Sequence, residues 1–133
     1  MALEGYKSNH NVVYSSKYHC VWTSKYRRAV LVGPIAKRCE QVLRQVANKY
    51  RAEIMALEIM PDHVHVLVEV DPQLGIHRLV KHLKGVSSHS LRQEFRTLKS
   101  RLPTLGTNSY FVSTVGGAPL AVIQQYVEKQ KNV

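Results

Sequence analysis

His63 and His65 stand two residues apart in the run Met60-Pro61-Asp62-His63-Val64-His65-Val66-Leu67-Val68-Glu69-Val70. Successive side chains of a strand point to opposite faces, so Val64, Val66, Val68 and Val70 share one face while His63, His65, Leu67 and Glu69 share the other. Two imidazoles on one face have roughly parallel side-chain vectors, and their nitrogens can converge on one divalent metal ion. Histidines that merely pack in a sheet would be placed the same way, so the pair alone leaves both readings open.

Towards the other end, Val122, Tyr126 and Gln130 recur every four residues, which sets the Tyr126 phenol and the Gln130 amide on one helical face. A tyrosine hydroxyl can attack phosphorus and form a covalent intermediate that conserves the energy of the broken phosphodiester. A metal held by His63 and His65 could polarise a non-bridging phosphate oxygen, with the Gln130 carbonyl oxygen as a third ligand. Singly, Tyr126 also reads as a packing residue with its hydroxyl at the surface, and Gln130 as a solvated helix end. Together with a basic surface, the four residues describe a metal-assisted strand-transfer site. Tyr126 would then lose its proton well below the ordinary phenol value of about 10, which a nearby metal or base would assist. The residues do not identify that base.

The charge balance points to the same class of partner. Nineteen Lys+Arg against nine Asp+Glu give the 133-residue chain a formal charge of +10 and a pI near 9.9, which favours a polyanion, nucleic acid foremost. No apolar run approaches the roughly 20 residues of a membrane span, and the first ten residues lack a signal-peptide core, so the expectation is a soluble protein with no membrane partner. Cys20 and Cys39 lie in apolar-periodic stretches and are too few for a disulfide framework; core thiols in a reducing cytoplasm are expected. With 44% hydrophobic residues, residues 1–133 form one expected domain, large enough to bury about two-thirds of its unfolded surface.

Several elements must position these groups. The stretch before Ser16 is polar and reads as loose until Tyr14, and Tyr18, Cys20 and Trp22 then alternate with Lys17, His19 and Val21 as a first strand. Lys25-Tyr26-Arg27-Arg28 suits either phosphate contact with base stacking or a solvated loop. Pro34 opens a helix whose stripe is Ile35, Cys39, Val42, Leu43, Val46, Ala47 and Tyr50. A strand from about Arg51 to Met60 folds back through Pro61-Asp62 onto the histidine strand. A second helix opens at Asp71-Pro72 and runs on through Leu98, with Ile76, Leu79, Val80, Leu83, Val86, Leu91, Phe95 and Leu98 as its apolar side. Arg78, Lys81, Ser88, Arg92, Arg96 and Lys99 form its basic flank, a solvated face or a phosphate track. A loop over 102–108, a strand over 110–115, a Gly116-Gly117 turn and a helix over 119–130 with Leu120, Ile123 and Val127 inward complete the chain.

The sequence resembles the small single-tyrosine (Y1) HUH transposases of bacterial and archaeal insertion sequences. The resemblance rests on Tyr18-His19-Cys20-Val21-Trp22 with Lys25-Tyr26-Arg27-Arg28, Glu58-Ile59-Met60-Pro61-Asp62-His63-Val64-His65, Leu83-Lys84-Gly85, Ser109-Tyr110-Phe111-Val112, and Tyr126 with Gln130. It implies an α+β, ferredoxin-like (RRM-like) sandwich, an antiparallel sheet with helices packed on one face. It also implies a homodimer in which the histidine pair of one subunit works with the tyrosine helix of the other, on single-stranded DNA recognised through hairpins at the element's ends. By that similarity Tyr126 attacks the scissile phosphate to give a 5′-phosphotyrosine and a free 3′-hydroxyl, while His63, His65 and Gln130 bind Mg²⁺ or Mn²⁺; rejoining excises and inserts the element. Relatives often carry Trp just before the Ser-Tyr-Phe strand, where this chain has Gly106, Thr107 and Asn108. Three residues follow Gln130, a short tail for anchoring that helix. The alternative is a domesticated or inactive relative, including a single-stranded nucleic-acid hairpin binder indifferent to metal.

Overall fold

The computed structural model describes residues 6–114 and 125–130. In chain order these form β1 (Lys7–Ser8), β2 (Val13–Tyr14), β3 (Lys17–Thr23), a 3-10 turn (Lys25–Arg27), α1 (Gly33–Lys49), β4 (Glu53–Met60), β5 (His63–Glu69), α2 (Ile76–Glu94), α3 (Arg96–Arg101) and β6 (Phe111–Thr114). Residues 125–128 are helical again. The turn at Gly116-Gly117, Val115, and the helical positions 119–124 with Leu120, Val122 and Ile123 lie outside the described residues.

Alternation in β5 decides which way the sheet faces. Val64, Val66, Val68 and Val70 are each at most 1% exposed and pack with Cys39, Val42, Leu43 and Val46 of α1 and Leu79, Val80 and Leu83 of α2. Each such side chain, fully buried, contributes roughly 1.5–3 kcal/mol of transfer free energy. The helices therefore cover one face, and His63 and His65 stand half-buried on the other. The strands are ordered β4-β5-β3-β6, every neighbour antiparallel. With α1 between β3 and β4 and α2 between β5 and β6, this is the ferredoxin-like α+β arrangement. Both cysteines are buried in the core, and burial pushes each thiol up to about 12.

Four expectations are corrected. The segment before Tyr14 is not loose throughout: β1 pairs with β2, and the Asn9 carboxamide oxygen accepts from the backbone N–H groups of Asn11 and Val12 to close the turn. Asp71-Pro72 does not open α2. The Asp71 carboxylate accepts the Gln73 N–H and its carbonyl accepts those of Leu74 and Gly75, a local turn that competes with helix, and α2 begins only after Gly75 at φ +87. The second helix is also not continuous, because Phe95 is extended (φ −124, ψ 97) and α3 starts afresh with Leu98 buried. Leu91, Phe95 and Leu98 keep helical spacing across that break, so periodicity does not reveal it. Val86, expected on the apolar side, is 41% exposed. Ser87 takes the buried position instead, its hydroxyl donating to the Leu83 carbonyl at 2.6 Å.

Candidate active site

A two-residue turn at Pro61-Asp62 joins β4 to β5 with Met60 opposite His63, which puts the Asp62 carboxylate beside the His63 ring. His63 Nδ1 lies 2.8 Å from Asp62 Oδ1. Burial pushes the Asp62 carboxyl up, but hydrogen bonds from His63 and Arg27 outweigh it and hold the group below the usual carboxylate range. An ionised carboxylate only accepts, so His63 carries a hydrogen on Nδ1, and in the neutral ring the lone pair is then on Nε2. His65 is held below the ordinary histidine value, first by burial and then by the neighbouring His19 and His63, with Glu58 opposing. It is therefore neutral at pH 7, the form that can ligate a metal.

Register carries this face across the sheet. His65 is opposite Val21 and Val21 opposite Phe111, so the three side chains project to the same side. The Tyr126 ring leans on Phe111 at 5.7 Å and 50°. Tyr126 thus stands on the histidine face, over a strand two ladder spacings, about 10 Å, from β5. No hydrogen bond among the described residues joins Tyr126 or Gln130 to His63 or His65. Ser109 links the first two instead: its hydroxyl is 2.9 Å from the Tyr126 hydroxyl and donates to Gln130 Oε1 at 3.3 Å. Either hydroxyl can donate in the shorter contact, and a phenolate at Tyr126 would accept the Ser109 hydrogen. Burial raises the Tyr126 pKa, and the Ser109 hydrogen bond partly offsets that. Gln130 is buried, whereas Val127 is only half-buried.

The basic candidates separate. In the 3-10 turn Tyr26 is exposed with Lys25 Nζ 5.0 Å above its ring, and Arg28 is exposed, whereas Arg27 is engaged with Asp62 and Glu128. On α2 the flank splits: Arg92 and Arg96 share a shallow depression with Lys99, while Lys81 belongs to another cavity. That cavity, of about 320 Å³, is lined by Trp22, Val64, Cys39, Lys81, Lys84 and Tyr110, mostly on the helix-covered side of the sheet, and includes neither His63 nor His65. Lys84 donates to the carbonyls of Thr107 (2.6 Å) and Ser109 (2.8 Å), and burial lowers its pKa to about 8. It braces the loop that presents Ser109.

Sequence reasoning assigned no role to His19, Asp62, Ser109, Lys84 or Glu128. His19, Asp62, Lys84 and Ser109 carried a signal, since each sits inside a motif quoted for the resemblance, whereas Glu128 did not. His19 and Ser109 acquire their neighbours only through the pairing of β3 with β5 and β6. Among the described residues no group of three or more His, Cys, Asp or Glu side chains gathers as a metal site, and no helix is long and apolar enough to cross a membrane.

Comparisons with known proteins address the family and the fold. The family described as "Transposase IS200 like" matches residues 12–130. The chain is 39% identical over 126 residues to the ISDra2 transposase TnpA of Deinococcus radiodurans, covering 93% of this chain and 90% of that relative. It is 32% identical over 126 residues to the transposase of insertion sequence element IS200 from Salmonella typhimurium, covering 93% and 82%. A solved structure of a Deinococcus radiodurans protein described as a transposase superposes with a TM-score of 0.84 at 38% identity, over 96% of this chain and 99% of that one. A REP-associated tyrosine transposase bound to a REP hairpin shares the fold alone, with a TM-score of 0.50 at 12% identity over 92% and 68%. With a family match over nearly its whole length and two such relatives, the chain belongs to the IS200-like, single-tyrosine (Y1) HUH transposases.

Proposed function

We propose that the protein, acting over residues 1–133 as one HUH domain, cleaves and rejoins single-stranded DNA at the hairpin-marked ends of an insertion sequence through a 5′-phosphotyrosine intermediate. The observation that carries this reading is the placement of His63 and His65 on the same sheet face as Tyr126 and Gln130, in a chain of this family.

The Tyr126 oxygen attacks the scissile phosphorus and gives up its proton to solvent, the P–O bond to the 3′-oxygen breaks, and that oxygen takes up a proton to leave as the 3′-hydroxyl. A 3′-hydroxyl later attacks the same phosphorus, the bond to Tyr126 breaks, and the phenol regains its proton. Bond count is conserved, so no nucleotide cofactor is consumed. His63 through Nε2, His65, and the Gln130 carbonyl oxygen once released from Ser109 would hold Mg²⁺ or Mn²⁺. These donors fit such an ion, since two imidazoles share one sheet face and Asp62, bonded to His63 Nδ1, leaves Nε2 of that ring for the ion. The ion, when bound, neutralises charge on the phosphate oxygens and orients the phosphorus for in-line attack.

The resemblance also implies a homodimer in which His63 and His65 of one subunit serve the tyrosine segment of the other, whereas in this chain that segment meets Phe111 and Arg27 of its own subunit. Mixing a His63→Ala/His65→Ala protein with a Tyr126→Phe protein tests it: trans sites recover one working site per heterodimer, and cis sites recover none.

The first experiment is denaturing electrophoresis of the protein incubated with single-stranded oligonucleotides from the gene's own flanks, with Mg²⁺, Mn²⁺ or chelator. A slowed, protease-sensitive DNA band that needs metal and vanishes in Tyr126→Phe supports the proposal. DNA that binds but stays intact with every flank and metal supports the inactive or hairpin-binding alternative.

A further inference from the structure

The side chain of Arg27 spans two parts of the molecule that lie 66 residues apart in the chain. Its Nε donates to Asp62 Oδ2 at 2.8 Å and its Nη1 to Glu128 Oε2 at 3.0 Å. The other oxygen of Asp62 accepts His63 Nδ1–H at 2.8 Å, and Glu128 is two residues beyond Tyr126. A continuous path Glu128–Arg27–Asp62–His63 therefore runs from the tyrosine segment to the first histidine.

The backbone is built to hold Arg27 there. Tyr26 (φ 57) and Arg27 (φ 52) are consecutive non-glycine residues in the left-handed region, a conformation that persists only where surrounding contacts impose it. Those contacts are present. The Ser24 N–H donates to the Asp62 carbonyl and the Leu31 N–H to the Pro61 carbonyl, while the Ser24 hydroxyl donates to the Arg28 carbonyl at 2.6 Å. The turn carrying Arg27 is thereby laced at both ends to the Pro61-Asp62 turn. A planar guanidinium with several donors can satisfy two carboxylates at once in a fixed orientation, which an ammonium cannot.

We infer that Arg27 is a positioning residue, coupling the docking of the tyrosine segment, through Glu128, to the orientation and tautomer of His63, through Asp62. With the segment docked, Arg27 pins the Asp62 carboxylate, Asp62 holds the hydrogen of His63 on Nδ1, and Nε2 faces outward with its lone pair. With the segment displaced, Arg27 loses one anchor, Asp62 gains freedom to turn, and the second tautomer of His63 becomes populated. The metal arm of the test rests on the proposed role of His63 as a ligand; the tautomer arm does not.

The test uses the full-length protein and the variants Arg27→Gln, Arg27→Lys, Glu128→Gln and the double variant Arg27→Gln/Glu128→Gln. Imidazole ¹⁵N shifts of His63 are read in the metal-free state, and the Kd for Mn²⁺ by calorimetry without DNA. Wild type is expected to show the Nδ1–H tautomer. Arg27→Gln should mix the tautomers and weaken Mn²⁺ about tenfold, the scale of an outer partner of a metal-ligating histidine. Arg27→Lys should fall between the two. Glu128→Gln, which keeps the size and shape of an exposed side chain, should shift the same ¹⁵N signals in the same direction and weaken Mn²⁺ roughly two- to fivefold. Because the two act in series, the double variant should be no worse than Arg27→Gln. Wild-type His63 shifts and Mn²⁺ affinity in Glu128→Gln, or additive losses in the double variant, overturn the coupling. Should wild type bind no Mn²⁺ at all, the metal reading fails while the ¹⁵N shifts still decide the role of Arg27.

Discussion

His19 Nδ1 lies 3.3 Å from His65 Nε2, diagonally across the β3–β5 ladder, with the two rings tilted at 49°. One nitrogen supplies a hydrogen and the other a lone pair, so the contact requires at least one neutral ring. It also occupies a nitrogen of His65 that a metal ion would otherwise be free to take. His19 is thus a resident competitor at the proposed site, and its removal is expected to strengthen Mn²⁺ binding by His65; a weaker Kd in His19→Ala would make His19 a ligand instead.

The depressed pKa of His65 sets a pH dependence of stability. An unfolded histidine takes up its proton near 6.5, whereas folded His65 stays neutral to lower pH. Between those values the unfolded state binds more protons, so stability falls as pH drops from about 6.5 through the folded His65 value. Urea midpoints of metal-free protein between pH 7.5 and pH 5 should show this decline, and His65→Gln should make it shallower. An unchanged slope in that variant assigns the decline to other groups.

Ser109 is expected to matter to the nucleophile in a definite direction. Its hydrogen bond lowers a Tyr126 pKa that burial raises, so Ser109→Ala should raise it further, visible in the phenolate absorbance during alkaline titration. Cleavage at fixed pH should slow by roughly three- to tenfold, the scale of one lost hydrogen bond. Faster cleavage would mean that Ser109 chiefly restrains Tyr126 and Gln130.

The basic flank of α2 and α3 makes a prediction about salt. If Lys81, Arg92 and Arg96 each neutralise one phosphate, replacing all three with Gln should reduce the slope of log K against log salt by about 2 on single-stranded DNA. Fluorescence anisotropy over a salt series measures it. Arg92 donates weakly to the Leu102 carbonyl and its Nε is buried without a partner among the described residues, so replacing it alone should also cost stability.

Packing beneath the histidines is tested by Leu79→Ala. Leu79 is fully buried on α2 in the core cluster under β5, and its truncation should lower unfolding free energy by about 2–5 kcal/mol. A loss under 1 kcal/mol in urea titration would show that the cavity collapses.

The sequence by itself determined what depends on near neighbours. Period-two alternation oriented β5, so the inward valines and outward histidines were legible without coordinates. Helical spacing found the buried stripe of α1 with Cys39, strand alternation placed Cys20, and the motif set pointed to the family that the comparisons show. Where a local hydrogen bond competes with an apolar period, the reading went astray, as at Asp71, Ser87 and Phe95. Tertiary structure alone decided which strands lie side by side. Placing β3 between β5 and β6 is what brings His19 to His65 and sets Phe111 beneath Tyr126 on the histidine face. Closing the chain over 101 residues is what joins Arg27 to Glu128. Such contacts follow from strand order, register and loop closure, which are properties of the whole packed chain, and no periodicity within a single segment encodes them.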